Sequence, residues 1–175
     1  IYDMHRLAHH VSGGLVVALP GPDEDHNPAT AGRLSEVLAA RSDILLENYK
    51  VGTLRRYGLD GESLRRESPR LIYCSVTGFG QTGPRRDQAA YDFLIQAMGG
   101  LRSITGERDD RPGGGPQKAG IPIADLITGM YASIAVCAAL AHRAKGGGGQ
   151  HLDLALLDSL VAVLANQGAN YLATG

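Results

Sequence analysis

Short apolar segments alternate with helical segments along this chain, and that alternation constrains the fold more than any other feature of the sequence. Three segments predict β-strands: GGLVVALPGP at residues 13–22, DILLEN at residues 43–48 and RLIYCSVTGFG at residues 70–80. The last of these is rich in Ile, Tyr, Val and Thr, which favour strands. Because helical patterns separate the three segments, the sequence predicts a single α/β domain with a largely parallel sheet.

The other elements are predicted from the spacing of apolar residues and from the residues that begin or end helices. They are an amphipathic helix in NPATAGRLSEVLAARSD after Asn27, two short helices in 52–69 split at Gly58, helices at 91–101 and 122–143, and a strand beginning at 149 followed by a helix to about Leu172.

Glycine-rich segments at 106–120 and Gly146–Gly149 predict loops, the first of them long and mobile. The run of four glycines matches neither GxGxxG nor GxxxxGK[ST], and a strand pattern follows it, so a plain turn is favoured over a phosphate loop.

Composition narrows the class of protein. The 175 residues include 17 basic and 18 acidic side chains, with a net charge of −1, so no electrostatic argument favours nucleic acid or an anionic membrane. The cysteines, Cys74 and Cys137, lie in apolar segments far apart, which indicates reduced thiols and a cytoplasmic protein. The histidines near residues 5–10 have only Asp3 as a carboxylate close in sequence and no cysteine, so no metal site is predicted.

Asp125 is the one charged residue in the apolar stretch AGIPIADLITGMYASIAVCAAL, residues 119–140. Together with Thr128, Gly129 and Ser133 it interrupts the stretch and argues against a membrane span. Asp125 has two interpretations. It is either a cap or first-turn carboxylate favoured by the helix dipole, or an ionised nucleophile that needs no separate base.

Two strand ends carry polar side chains, and ligands of α/β folds gather at such ends. One is Thr77-Gly78-Phe79-Gly80. The other is Asn48-Tyr49, followed by Arg56-Tyr57. Asn and Tyr can hydrogen-bond and stack on a planar base, and arginine pairs with phosphates through its planar guanidinium. A solvated basic helix face is the alternative for these arginines.

Three blocks carry a resemblance to a known family: DILLENYKVGTLRRYGLD, PRLIYCSVTGFGQTGPRRDQAAYDFLIQAMGGLRSITGE and AGIPIADLITGMYASIAVCAALAHRAKGGGGQHLDLALLDS. Together they resemble the class III CoA-transferases, the CaiB/BaiF-like family that also contains alpha-methylacyl-CoA racemase. The resemblance runs from about residue 27 to the end, and residues 1–26 match poorly. It implies that residues 1–175 form part of one Rossmann-like large domain. The family's N-terminal strand and loop and its C-terminal small domain are then missing.

The resemblance also implies a reaction and a set of site residues. Asp125 matches the family nucleophile, which passes through an aspartyl-CoA thioester. Tyr91 matches a position beside the active site, and Asp92 next to it is expected to make a structural hydrogen bond. The implied substrates are an acyl-CoA and a small carboxylic acid, with CoA as the cofactor, no metal, and an interlocked homodimer in the full-length form. The residues that match the family's CoA-binding positions are Asn48, Tyr49, Arg56 and Tyr57.

Three alternatives stay open on the sequence alone. A racemase of the same family is one, but racemases carry histidine where this chain has Tyr91, and a phenol is a poor proton acceptor at neutral pH. A non-catalytic nucleotide-binding or assembly module, in which Asp125 is only a cap, is the second. An acyl-CoA hydrolase, in which water meets the aspartyl-CoA intermediate, is the third.

Overall fold

The computed structural model describes residues 16–18 and 41–174, and it shows an α/β arrangement. The helix predicted in NPATAGRLSEVLAARSD lies outside the described residues. Four strands form one sheet in the order β1-β2-β3-β4. Their bounds are Val16–Ala18 for β1, Ile44–Glu47 for β2, Ile72–Thr77 for β3 and His151–Ala155 for β4.

The sheet is parallel where its pairing is defined. Strand β1 pairs with β2, and β2 pairs with β3, both in parallel, and Glu47 at the end of β2 lies opposite Ser75. Strand β4 lies on the other side of β3, where the Tyr73 amide donates to the Gln150 carbonyl. The predicted parallel α/β class is therefore confirmed.

The helices follow the predicted segments closely, and Gly58 separates a 3-10 helix from α1 as expected. One prediction differs, because the last helix is divided at Leu164, which carries no sequence feature that breaks a helix. The bounds are 3-10 helices at Leu54–Tyr57 and Leu101–Ser103, and α-helices α1 Gly61–Glu67, α2 Asp92–Met98, α3 Ile123–Ala144, α4 Leu156–Val163 and α5 Ala165–Thr174.

The chain divides into two compact units. Among the described residues, unit 1 comprises 16–18, 41–76 and 132–153, and unit 2 comprises 77–131 and 154–174. The described core of unit 1 packs α1 and the 3-10 helix against the strands. Its largest buried cluster consists of Leu45, Leu54, Leu59, Leu64, Leu71 and Tyr73.

In unit 2, α2 packs against α4. Ile95 and Leu160 are both fully buried, and a Cβ placed on Gly99 would lie 2.8 Å from the Leu160 side chain. Gly99 therefore lets the end of α2 approach α4 closely, and the predicted helix at 91–101 is fixed by this contact.

The four-glycine run has a structural explanation in unit 1. The Gly149 amide donates to the Pro69 carbonyl, and a Cβ on Gly149 would lie 2.1 Å from the Leu71 carbonyl oxygen. Only glycine fits this backbone approach, which supports the prediction of a turn rather than a phosphate loop.

The connection predicted to be a mobile loop is folded back on itself. The Gly115 amide donates to the Glu107 carbonyl, the Gln117 amide donates to the Thr105 carbonyl, and Arg108 pairs with Asp110. These contacts close the loop between α2 and α3.

Helix α3 is, by length and composition alone, able to cross a membrane, with a mean hydropathy of 1.8 over its most apolar window. A core helix of a soluble protein meets the same criterion. Its buried residues, Ala124, Thr128, Ala132 and Ala139, recur at intervals of four and seven residues and so lie along one face of the helix.

Candidate active site

The start of α3 is capped by a residue of another helix. In the first turn of α2, Asp92 Oδ2 accepts hydrogen bonds from the Ala124 amide at 2.7 Å and the Asp125 amide at 3.2 Å. These are two of the amides that a helix leaves without intrahelical partners. The predicted structural hydrogen bond of Asp92 is thus present, and Asp125 is relieved of the capping role.

Gln96, one turn after Asp92, extends this arrangement, and sequence reasoning missed it. The Gln96 side chain is fully buried, and its amide nitrogen donates to Asp92 Oδ1 and to the Ile121 carbonyl. Its Oε1 accepts from the Ala119 amide at 2.8 Å. We call Asp92, Gln96 and the backbone of 119–125 the Asp92 network, and it fixes the segment that leads into Asp125.

The carboxylate of Asp125 is accessible and without hydrogen-bond donors among the described residues. Partial burial of the carboxyl group, followed by the nearby negative charge of Asp92, raises the pKa of Asp125 above its ordinary value. A carboxylate that is held in place but not engaged by donors keeps its lone pairs available to attack an electrophile.

Tyr91 lies immediately before α2, at its N-cap, and the residue is 62% exposed. Its carbonyl accepts from the Leu94 and Ile95 amides, so the backbone at Tyr91 is fixed while the ring remains free to meet a ligand. Tyr91 and Asp125 belong to the same unit, and Asp92 connects the two chain segments.

The predicted CoA-binding residues belong to unit 1. Asn48 and Tyr49 directly follow β2, Asn48 is exposed, and the Tyr49 ring is half-buried against the core. The Tyr49 amide donates to Glu47 Oε2 at 2.7 Å. The segment is therefore fixed at Tyr49 and open to solvent at Asn48.

Arg56 and Tyr57 lie on the 3-10 helix and are both exposed. The neighbouring Arg55 forms an ion pair with Glu62 at 3.1 Å, whereas no described residue forms a hydrogen bond or ion pair with the Arg56 guanidinium. Of the two adjacent arginines, Arg56 is the one available to a phosphate.

Neither a metal cluster nor a cavity accompanies the predicted site residues in the described part of the chain. No group of three or more His, Cys, Asp or Glu side chains suited to a metal ion occurs in that part of the chain. A surface cavity of about 670 Å³ lies over the loop between α2 and α3, lined by residues that include Ile104, Glu107 and Asp110 and by none of the predicted site residues.

Comparisons with known proteins identify the family. The family model described as CoA-transferase family III matches residues 25–175. Succinate–glutarate CoA-transferase of Agrobacterium fabrum is 54% identical over 138 residues, covering 79% of this chain and 34% of that protein. Succinyl-CoA:glutarate CoA-transferase of Mus musculus is 44% identical over 140 residues, covering 80% of this chain and 31% of that protein.

A solved structure agrees with these relatives. The crystal structure of a CaiB/BaiF family protein from Brucella suis matches with a TM-score of 0.79 and 51% identity, covering 83% of this chain and 38% of that one. The fold thus belongs to a known class, and this chain is a member of CoA-transferase family III. It spans about a third of the length of the curated relatives it matches.

Proposed function

We propose that this chain carries the nucleophile-bearing region of a CoA-transferase, an enzyme that moves CoA from an acyl-CoA to a carboxylic acid. The observation that carries the proposal is the state of Asp125. Its helix is capped by Asp92, so the Asp125 carboxylate is positioned without being consumed by a structural role. The interpretation of Asp125 as the cap loses support, since Asp92 makes those bonds. Asp125 does lie in the first turn of α3, where the helix dipole favours a carboxylate, so the trapping experiment decides between that role and a nucleophile.

The proposed reaction uses Asp125 twice. Its carboxylate attacks the thioester carbonyl of the donor acyl-CoA. The C–S bond breaks, CoA departs as the thiolate, and a mixed anhydride of Asp125 and the donor acid remains. The thiolate then attacks the Asp125 carbonyl of the anhydride, which releases the donor acid and leaves an aspartyl-CoA thioester. The acceptor carboxylate attacks that thioester, and the released CoA thiolate attacks the acceptor acyl group, which frees Asp125.

The other predicted residues have roles that fit this chemistry. Asn48, Tyr49, Arg56 and Tyr57 would hold the nucleotide part of CoA, with the free guanidinium of Arg56 suited to a phosphate. Tyr91, exposed at the start of α2, would contact the reacting acyl group as a hydrogen-bond donor.

The names of the relatives suggest which carboxylic acids are the substrates. The Agrobacterium and mouse relatives are named for succinate or succinyl-CoA and glutarate. We therefore propose short dicarboxylic acids as substrates. We also propose, from the family resemblance and the balanced charge, a cytoplasmic protein with CoA as its only cofactor, no metal, no nucleic-acid or membrane partner, and a homodimer in the full-length form.

A racemase is the second candidate, and Tyr91 disfavours it. A racemase needs a group that takes a proton from the α-carbon, and a phenol at this position is poorly suited to that at neutral pH. A hydrolase would differ only in admitting water to the aspartyl-CoA intermediate, so the product of the second half-reaction distinguishes it from a transferase.

The test is covalent trapping of the intermediate. The protein is incubated with succinyl-CoA and examined by intact-mass spectrometry, then treated with hydroxylamine and mapped by peptide mass. We expect a hydroxylamine-sensitive CoA adduct on Asp125, and Asp125→Asn lowers its formation by on the order of 10³-fold or more.

Asp158 offers a matched control, because it is an exposed aspartate in the first turn of α4. Asp158→Asn makes the same chemical change at the same kind of position, and the adduct is expected to persist. The Agrobacterium relative, treated in parallel, serves as positive control. An adduct that forms equally well in Asp125→Asn would show that Asp125 is not the nucleophile. An adduct on the relative but not on this chain would show that the matched third of the protein does not perform the first step alone.

A further inference from the structure

Glu47 is a buried carboxylate that the proposed reaction does not use. It ends β2 with only 5% of its surface exposed. Burial of a carboxylate costs free energy unless the group is well hydrogen-bonded, and desolvation accordingly raises the pKa of Glu47. Such a residue lowers stability unless its hydrogen-bond partners compensate for the lost hydration.

The partners of Glu47 form a chain of hydrogen bonds across three strands. Glu47 Oε2 accepts from the Tyr49 amide at 2.7 Å, and the Ser75 hydroxyl on β3 hydrogen-bonds the same carboxylate. Ser75 Oγ lies 2.9 Å from Nε2 of His151 on β4. We call Glu47, Ser75, His151 and the Tyr49 amide the Glu47 network.

Ser75 is the link in this network, because its hydroxyl lies between the carboxylate of Glu47 on β2 and the ring of His151 on β4. The rings of His151 and Tyr73 form a T-shaped pair with a centroid distance of 5.2 Å, which contributes to the orientation of the His151 ring.

The Ser75–His151 pair has the spacing of a nucleophile and its base, but burial excludes that role. Ser75 is only 1% exposed, so no substrate reaches its hydroxyl. The network instead contacts the backbone, because Glu47 accepts a hydrogen bond from the amide of Tyr49, next to exposed Asn48.

We propose that Glu47 is a positioning residue, which holds the Asn48-Tyr49 segment in its binding conformation through the hydrogen bonds of the Glu47 network. That CoA is the ligand of this segment rests on the proposed function. The positioning role of Glu47 does not depend on the identity of that ligand, because it is inferred from the contacts of Glu47. Two anchors act on Tyr49: Glu47 on its amide and the core on its ring. Asn48 lies between Glu47 and Tyr49, so its side chain is presented to solvent from a fixed backbone.

The test compares two variants with a charge-matched control. Glu47→Ala removes the acceptor, Glu47→Gln keeps an acceptor oxygen without the charge, and Glu67→Gln removes an exposed carboxylate of α1. The first readout is hydrogen exchange of the Tyr49 amide by NMR. We expect exchange about 10-fold faster in Glu47→Ala, since one charge-assisted hydrogen bond is lost, and only a few-fold faster in Glu47→Gln.

The second readout is the dissociation constant of coenzyme A by titration calorimetry. Glu47→Ala is expected to weaken binding by about 10-fold, Glu47→Gln by less, and Glu67→Gln not at all.

The positioning role of Glu47 and the binding of coenzyme A are tested by separate measurements. Unchanged exchange of the Tyr49 amide in both Glu47 variants overturns the positioning role, whatever happens to CoA. Should Glu47→Ala not fold, Glu47→Gln carries the test, because it preserves shape and still exchanges a charged acceptor for a neutral one. A wild-type chain that binds no coenzyme A contradicts the proposed function, and the Tyr49 exchange rates still decide the role of Glu47.

Discussion

The Asp92 network of unit 2 and the Glu47 network of unit 1 use the same device. In each, a carboxylate accepts hydrogen bonds from the backbone of a segment that carries a predicted site residue. A neutral polar side chain also hydrogen-bonds the carboxylate, Gln96 in the case of Asp92 and Ser75 in the case of Glu47. They differ in burial, since Asp92 is half-buried and Glu47 is only 5% exposed. Each has a second carboxylate nearby, Asp125 for Asp92 and Asp153 for Glu47. The comparison teaches that both anchors lie near another negative charge, but only the neighbour of Asp92 is a predicted site residue.

The largest expected difference is in catalysis. Asp92→Ala removes the cap of α3 and lets Asp125 shift, so kcat is expected to fall by about 100-fold, with KM for succinyl-CoA nearly unchanged. Glu47→Ala is expected to do the reverse, raising KM and sparing kcat. Steady-state kinetics of both variants check this, with Asp109→Ala, an exposed loop change, as the control. A rise in KM alone for Asp92→Ala would remove the distinction between the networks.

A smaller effect is expected on the pKa of Asp125. Asp92→Asn keeps an oxygen that accepts the amides but removes the negative charge that helps raise the pKa of Asp125. The pKa of Asp125 is therefore expected to fall towards its ordinary value, and the acid limb of adduct formation moves to lower pH.

The sign for stability follows from the same shift. A raised pKa means that the folded state binds the proton more tightly than the unfolded state. The free energy of unfolding therefore falls as pH rises between the unfolded and folded pKa values of Asp125. Asp92→Asn is expected to flatten that fall. NMR titration of the Asp125 carboxyl carbon measures the pKa directly, and an unchanged value would show that burial alone accounts for the shift.

The smallest expected effect separates two adjacent arginines of unit 1. Arg56→Ala is expected to weaken binding of coenzyme A by about 3- to 10-fold, because a guanidinium free for a phosphate is lost. Arg55→Ala breaks only an exposed ion pair with Glu62, worth at most about 1 kcal/mol, and is expected to leave binding unchanged. Equal effects of the two variants on the dissociation constant would return Arg56 to the role of a solvated surface charge.

Local patterns in the sequence predicted most of the described elements. Strand β3, the break at Gly58 and the start of α3 near Asp125 all follow from side chains close together in the chain. The division of the last helix at Leu164 could not be predicted in this way. Leucine is a good helix former, so the side chain of Leu164 gives no local reason for the helix to break.

The sequence by itself determined the α/β class and the family, since these depend on short motifs and on the order of elements. The six site residues that the resemblance implies stay predictions. Only the tertiary structure decided that Asp92 caps α3, that Gln96 holds Asp92, and that Glu47 holds the Tyr49 amide with Ser75 and His151 behind it. The reason is distance along the chain: Asp92 and Ala124 are 32 positions apart, and Ser75 and His151 are 76 apart. Hydrogen bonds between such residues exist only once the elements pack, and no local pattern encodes them.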